Sequence, residues 1–146
     1  MKHFGKRILC GIFTICILSG LLCSFASANT QSSAYINSYA ATVTPESGGE
    51  LIVTVDVSGV GYMPKIGATK IYLYESADKK SFSRVATYKY EDYPIMMGSG
   101  TYYFKDAATY YGTPNYYYYA SVYCYAGNST GGDERNYTTS IVRAKS

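Results

Sequence analysis

The chain has 146 residues, with 13 Lys and Arg against 10 Asp and Glu, one His, four Cys, no Trp and 19 Tyr. The only histidine, three of the cysteines and three of the cationic residues lie in the first 28 residues, so the remainder is formally neutral and contains one cysteine, Cys124. Without a histidine, the remainder excludes a Ser-His-Asp triad, a Cys-His pair and a His-ligated zinc site. Nucleic-acid binding needs an excess of Lys and Arg to neutralise phosphates, which this part of the chain lacks, so we expect no nucleic-acid partner.

The first 28 residues have the layout of a secretory signal peptide. Lys2, Lys6 and Arg7 precede an apolar run over residues 8–22, and Ala26-Ser27-Ala28 provides the small residues of a cleavage site. Polar residues interrupt the run, which is also shorter than the roughly 20 apolar residues that a membrane span needs, so a retained anchor is the lesser alternative. We therefore predict a secreted, extracellular protein with no membrane contact after cleavage.

The remaining chain is predicted to form a short flexible tether, residues 29–34, and a single domain, residues 35–146. The 118 residues that follow the signal (146 minus 28) suffice for one core but not for two. Short runs rich in Val, Ile, Thr and Tyr alternate with clusters of Gly, Pro, Asn and Ser, which is typical of an antiparallel sandwich. The expected strands are 35–43, 51–57, 69–75, 82–90, 101–106, 116–126 and 136–144, with a glycine-punctuated connection at 58–67 and a polar hairpin at 127–135.

Alternation of residue type assigns an inner and an outer face to most of these strands. The second strand alternates aliphatic with mixed residues, and the third has Ile71 and Leu73 on one side and Tyr72 and Tyr74 on the other. The strand at 82–90 does not alternate strictly, which predicts a β-bulge or an edge position and leaves its facing open.

The run 116–126 gives the clearest two-residue period. Its small and apolar residues predict one inner face, formed by Tyr118, Ala120, Val122, Cys124 and Ala126. The opposite, outer face then consists of Tyr117, Tyr119, Ser121, Tyr123 and Tyr125.

This run also carries a resemblance to a known fold. Pro114 followed by Tyr118-x-Ala120-x-Val122-x-Cys124-x-Ala126 resembles the sixth strand of immunoglobulin-like and fibronectin type III-like domains. The resemblance implies an all-β, antiparallel two-sheet sandwich of about seven strands, in which Tyr118 bonds through its hydroxyl to the backbone just upstream. The core tryptophan common in such domains is missing, which leaves Phe82 or a tyrosine to replace it. The chain also resembles small secreted single-domain proteins of Gram-positive bacteria.

The outward tyrosines are the candidate ligand-binding residues. If the two strands that carry them are neighbours, as in the resembling fold, one sheet face presents Tyr72, Tyr74, Tyr117, Tyr119, Tyr123 and Tyr125. Tyrosine combines a large rigid ring with a hydroxyl, which suits recognition surfaces. The alternative is a purely structural ladder, because tyrosine also has a high strand propensity. Our leading hypothesis is a non-catalytic binding or adhesion module for an extracellular glycan, a cell-wall polymer or a protein.

Two other functions remain open. The tyrosine-bearing surface could pack against a second copy, which would make the protein a self-associating surface component. A small hydrolase would need only two carboxylates across a cleft. The chain offers several, but its pattern singles out no pair among Asp56, Glu75, Asp92 and Asp106.

We expect no cofactor and no bound metal. Asn128, Asp133 and Glu134 could offer oxygens to calcium, but their spacing does not match an EF-hand loop, and a solvated turn is the simpler interpretation. Cys124 lies between Val122 and Ala126 on the inner face, so its expected role is structural, with a reactive or intermolecular thiol as the alternative.

Overall fold

The computed structural model describes residues 33–146, so the predicted signal peptide and residues 29–32 of the predicted tether lie outside the described residues. The last two tether residues contact the domain. The Ser33 hydroxyl donates a hydrogen bond to Asp133, and the Ala34 N–H donates to the same carboxylate oxygen at 3.1 Å. Ser33 Oγ also accepts the N–H of Ile36 at 2.7 Å. These contacts fix the chain at the point where the first strand begins.

Residues 33–146 contain nine strands and two short 3₁₀ turns. The strands are β1 Ile36–Pro45, β2 Glu50–Met63, β3 Lys65–Ser76, β4 Ser83–Lys89, β5 Met97–Gly98, β6 Thr101–Tyr111, β7 Tyr117–Asn128, β8 Gly131–Thr138 and β9 Val142–Arg143. The turns are Ser47–Gly49 and Pro94–Met96. No helical segment in this part of the chain has the length and apolar character needed to cross a bilayer.

The strands form two antiparallel sheets, which confirms the predicted all-β sandwich. The smaller sheet has the order β1-β2-β6, and the larger sheet has the order β4-β3-β7-β8, with β5 added beside β3 and β9 beside β7. The number of strands exceeds the expected seven because β5 and β9 are two-residue pairings. The seven longer strands account for both sheets. In the larger sheet, β3 and β7 are direct neighbours at its centre.

The core lies between the sheets and follows the two-residue period of the sequence. Leu51, Val53 and Val57 of β2 face Leu73 of β3 and Val122 of β7, and each of these side chains is fully buried. Burying a side chain of this size stabilises the fold by about 1.5–3 kcal/mol. Phe82 does not replace the missing core tryptophan, because its ring packs against Tyr119 on the outer side of the larger sheet.

The connection expected at 58–67 is wrong, because β2 and β3 continue through it and only Pro64 separates them. Gly67 belongs to β3 and pairs with Met97 of β5. A Cβ atom at Gly67 would collide with the carbonyl oxygen of Met96. Glycine is therefore needed at this position for the close approach of another strand. Its presence in the sequence indicated a turn instead.

The hairpin expected at 127–135 is present, but its turn is shorter than expected, because β7 and β8 pair through most of this range and only Ser129 and Thr130 join them. The Tyr125 ring lies over Gly127 and Gly132, where any side chain would collide with it. The last expected strand ends early for a different reason. Thr139 Oγ1, and not a backbone carbonyl, accepts the Ala120 N–H at 2.9 Å, so strand pairing stops before resuming in β9.

Residues 82–90 show both features that the sequence offered as alternatives, an edge position and a β-bulge. β4 is an edge strand of the larger sheet, and its register against β3 shifts between Leu73 and Tyr74. Ala86 lies opposite Leu73 and Arg84 opposite Tyr74, so Val85 is the extra residue of a bulge. The bulge places the Arg84 side chain on the outer surface, beside the outward residues of β3.

Candidate functional site

The outer surface of β3 and β7 carries all six candidate tyrosines. Strand register places Tyr74 directly opposite Tyr119, Tyr72 opposite Ser121, and Lys70 opposite Tyr123. Each of the six rings is half-buried. We call this surface the tyrosine face and define it by Tyr72, Tyr74, Tyr117, Tyr119, Tyr123 and Tyr125.

Four of the six rings contact one another in pairs. Tyr74 and Tyr119 are stacked, with ring centroids 4.8 Å apart and ring planes within 10°. Tyr72 and Tyr123 meet edge to face at 5.7 Å, and Phe82 adds its edge to Tyr119 at 4.9 Å. Such pairs contribute about 0.5–1.5 kcal/mol beyond area burial. The centre of the tyrosine face is therefore a rigid aromatic cluster.

The remaining two tyrosines lie at opposite ends of this cluster. Tyr117 pairs with Arg143 of β9, at the end of the sheet where β3 finishes with Ser76. Tyr125 lies at the other end, over the glycines of the β7–β8 hairpin. Four of the six thus follow β7, with Tyr72 and Tyr74 beside them on β3, so the tyrosine face is elongated along the strands.

Cationic side chains cover several of the rings. The Arg84 guanidinium lies 4.9 Å from the Tyr72 centroid, and Lys70 Nζ lies 5.2 Å from that of Tyr123. Lys79 and Arg143 both approach Tyr117, at 5.7 and 6.0 Å. An exposed cation–π contact of this kind contributes about 0.5–1 kcal/mol. The sequence analysis missed these residues as site members, although the outward position of Lys70 on the strand of Tyr72 was a usable signal.

A shallow groove runs beside the stacked tyrosine pair. It has a volume of about 340 Å³ and lies between the Tyr74–Tyr119 stack and the segment that joins β8 to β9. Its other lining residues are Ser121, Thr138, Thr139 and Ile141. An aromatic wall opposite hydroxyl groups gives the groove both an apolar and a hydrogen-bonding side.

A second hollow, which the sequence analysis did not identify, lies between the two sheets. The sandwich is open where the free edges of β4 and β6 face each other, and a cleft of about 220 Å³ enters there. Its walls are mainly apolar and include Val55, Ile71, Tyr88, Tyr93 and Phe104. Asp106 also lines it, because its partner in β2 is the inward Val55.

The tyrosine assigned to the inner face is fully buried and anchors the start of β7. The Tyr118 hydroxyl accepts the Thr113 N–H at 2.7 Å, five residues upstream, and donates to a Glu75 carboxylate oxygen. Burial and the nearby carboxylate raise the pKa of Tyr118 to about 12. This hydroxyl therefore joins the chain before β7 to the end of β3.

The sulfur at Cys124 is shielded from solvent. Cys124 is fully buried in the core, and burial is the main cause that raises its pKa to about 12. A thiol nucleophile reacts as the thiolate, which is scarce at neutral pH for a group of this pKa. The geometry therefore gives Cys124 the character of a small core residue.

The candidate carboxylates of a hydrolase lie in separate environments. Asp56 points outward from the smaller sheet, where it accepts the Tyr103 hydroxyl at 2.8 Å and lies 3.7 Å from Lys105. Asp106 lies on the inner face of the same sheet, and Glu75 binds the Tyr118 hydroxyl in the other sheet. Asp92 follows β4 at an exposed position. Asp56 and Asp106 thus face opposite sides of one sheet.

The oxygens weighed as calcium ligands each have a protein donor of their own. Asn128 Oδ1 accepts the Thr130 N–H at 2.9 Å, and Glu134 accepts the Thr69 hydroxyl. The Asp133 carboxylate accepts hydrogen bonds from the Ser33 hydroxyl and the Ala34 N–H, and the bond from Ser33 is the main cause that lowers its pKa. Within residues 33–146, no three His, Cys, Asp or Glu side chains come together as a metal-binding group.

The tyrosine face combines apolar, hydrogen-bonding and positively charged groups. Its phenol rings offer apolar area and hydroxyls, and the lysine and arginine groups above them supply positive charge and hydrogen-bond donors. The groove adds further hydroxyls beside the aromatic cluster. The chain matches no protein-family model and no curated protein.

Proposed function

We propose that this protein is a non-catalytic binding module that acts outside the cell and holds an extended glycan or other cell-wall polymer on the tyrosine face. The observation that carries the proposal is the contact between outward tyrosine rings on two neighbouring central strands. A continuous aromatic surface of this kind suits a ligand that lies along the strands.

The fixed geometry of the rings favours binding. Tyr74 and Tyr119 hold each other in place, and Tyr72 is held between Tyr123 and Arg84. A side chain that is already ordered loses little conformational entropy when a ligand binds, which preserves affinity. The tyrosine face is therefore pre-organised before any ligand arrives.

The shape of the surface favours a polymer over an enclosed small molecule. Small-molecule sites are usually clefts that bury most of the ligand. The groove beside the Tyr74–Tyr119 stack is shallow and open along its length. A chain of sugars could follow it in contact with the edges of the Tyr74 and Tyr119 rings, whose faces stack on each other, and with its hydroxyls against Ser121 and Thr138.

Retention on immobilised polysaccharides tests the proposal. The purified protein is applied to chitin, peptidoglycan and polygalacturonate, and compared with the triple variant Tyr72→Ser, Tyr119→Ser and Tyr123→Ser. Three aromatic contacts of about 0.5–1.5 kcal/mol each correspond to at least a tenfold loss of affinity for the retaining polymer. Equal retention of the wild type and the variant would refute the proposal.

A matched control uses three tyrosines from outside the tyrosine face. The variant Tyr62→Ser, Tyr102→Ser and Tyr111→Ser removes the same number of rings from exposed positions in β2 and β6. We expect it to bind as the wild type does. Circular dichroism of each variant establishes that the fold is intact, and Tyr→Phe changes at the three face positions separate the roles of ring and hydroxyl.

A further inference from the structure

The neutral formal charge of the domain hides an uneven distribution. The outward rows of the larger sheet, with the adjoining β3–β4 loop, carry seven cations: Lys65, Lys70, Lys79, Lys80, Arg84, Lys89 and Arg143. The carboxylate in these rows is Glu134, whose oxygen accepts the Thr69 hydroxyl. The tyrosine face is therefore positively charged, although Lys and Arg balance Asp and Glu over residues 33–146 as a whole.

One further carboxylate, Asp78, lies in the β3–β4 loop beside Lys79, and its charge is already engaged. Asp78 Oδ1 accepts hydrogen bonds from the Ser76 hydroxyl at 2.8 Å and from the N–H groups of Lys80 and Ser81 at 2.9 Å. These bonds hold the loop together. They also leave the Lys79 ammonium over Tyr117, where it faces outward with Arg143.

The aromatic rings hold these cations in place. Five of the seven lie over a tyrosine ring, at 4.9 to 6.0 Å from its centroid. A free lysine or arginine side chain loses conformational entropy when it forms an ion pair, which is one reason why exposed pairs contribute little. Ordering by the rings reduces that loss, so the face presents fixed positive groups.

We propose that the polymer held on the tyrosine face is an anionic glycan that carries carboxylate groups along its chain. This inference rests on the proposed function and adds the charge of the ligand. The cations extend from the level of Lys70, which lies opposite Lys89, to that of Tyr117, which Lys79 and Arg143 both approach, a distance of about 20 Å of extended strand. A chain that carries charges along its length can meet the cations at both levels, whereas a single charged sugar reaches only one level.

The same contacts favour a glycan over a nucleic acid. Proteins that bind single strands stack bases on free aromatic faces. On the tyrosine face, Arg84 and Lys70 cover Tyr72 and Tyr123, and Tyr74 and Tyr119 cover each other. The groove beside them offers hydroxyl groups that match those of sugars.

Two polymers that differ in charge test the inference. Affinity is measured by biolayer interferometry for polygalacturonate and for the same polysaccharide with its carboxylates methyl-esterified. We expect at least tenfold tighter binding of the charged form, and at least a fivefold weakening between 50 and 500 mM NaCl, because salt screens exposed charges. A poly(glycerol phosphate) arm and a poly(dT) arm identify other anions, and tighter binding of either one than of polygalacturonate would overturn the inference.

Matched charge variants locate the effect. Lys70→Gln with Arg84→Gln removes two cations from the tyrosine face, and Lys105→Gln with Lys145→Gln removes two from elsewhere, so both variants have the same net charge. An exposed ion pair contributes a factor of about 1.4 to 5. The first variant should therefore weaken polygalacturonate binding about 2- to 25-fold and the second should not. If both variants lost affinity equally, the effect would come from net charge alone, which would contradict the inference.

The outcomes separate this inference from the proposed function. If the charged and esterified polymers bind equally and the triple tyrosine variant loses both, the tyrosine face is a binding surface but the ligand is not selected by charge. If neither the tyrosine nor the charge variants change retention, both proposals fail. Loss in the charge variant together with preference for the carboxylate form supports both.

Discussion

Replacing Tyr118 by Phe removes one buried hydroxyl and leaves the ring in place. The hydroxyl accepts the Thr113 N–H and donates to Glu75, so the change leaves both groups without that partner. Losing a buried hydrogen-bond partner costs about 1–3 kcal/mol. For the 114 residues from Ser33 to Ser146, the average entropy of unfolding per residue converts this cost into a decrease in Tm of about 4–13 °C.

The pH dependence of the free energy of unfolding provides a second test of the role of this hydroxyl. Burial and Glu75 raise the pKa of Tyr118 from 10.0 to about 12, so the folded state favours the protonated phenol. The resulting contribution to stability is complete below pH 10 and is lost as the pH rises through 12. About 1 kcal/mol is lost by pH 11, and about 3 kcal/mol well above pH 12. Tyr118→Phe has no such group, so the difference between the two proteins should narrow with rising pH.

Urea unfolding at pH 7 and pH 11, followed by circular dichroism, measures both effects. Tyr111→Phe is the control, because the Tyr111 side chain is 74% exposed and its loss should change the free energy of unfolding by less than about 0.5 kcal/mol. The reasoning is refuted if Tyr118→Phe is as stable as this control at pH 7. It is also refuted if the difference between wild type and Tyr118→Phe is as large at pH 11 as at pH 7.

Three further predictions concern the core and the sheet edges. Gly67→Ala should lower the free energy of unfolding by more than about 2 kcal/mol, because the new Cβ collides with the Met96 carbonyl. The control Gly61→Ala places its Cβ where nothing lies within 4 Å, so it should change this free energy by less than about 0.5 kcal/mol. Similar urea midpoints for the two variants would contradict the prediction. Cys124 should resist a disulfide reagent such as DTNB at pH 8 in the native protein and react fully in guanidinium, and rapid native labelling would be inconsistent with its burial. Asp106→Leu should increase self-association in light scattering, because an inward charge on an edge strand discourages edge pairing, and an unchanged mass up to high concentration would argue against this role.

The sequence predicted the fold class and the inner and outer faces because both depend on local alternation. The two-residue period of β7 separates Val122 and Cys124 from Tyr119 and Tyr123 without any knowledge of the partner strand. The same reasoning failed at Gly67, where glycine is required by the approach of β5. A contact between residues about 30 positions apart has no local signature, so this glycine indicated a turn.

The candidate site was predictable in part. The outward tyrosines follow from the period, but their pairing depends on register, which sets Tyr74 and not Tyr72 opposite Tyr119. Arg84 reaches Tyr72 only because a bulge in β4 shifts the register after Leu73. The cleft lined by Asp106 arises where two sheet edges leave the core open, and it depends on how the sheets pack.

The central claim is that a ligand lies on the outer surface of β3 and β7. Amide chemical-shift changes during titration of the ¹⁵N-labelled protein with polygalacturonate oligomers test this most directly. We expect the changes to follow the residues around Tyr72, Tyr119 and Tyr123, with the amides of β1 and β2 unaffected. Changes confined to the smaller sheet or to the cleft beside Asp106, or no changes at saturating oligomer, would contradict the account.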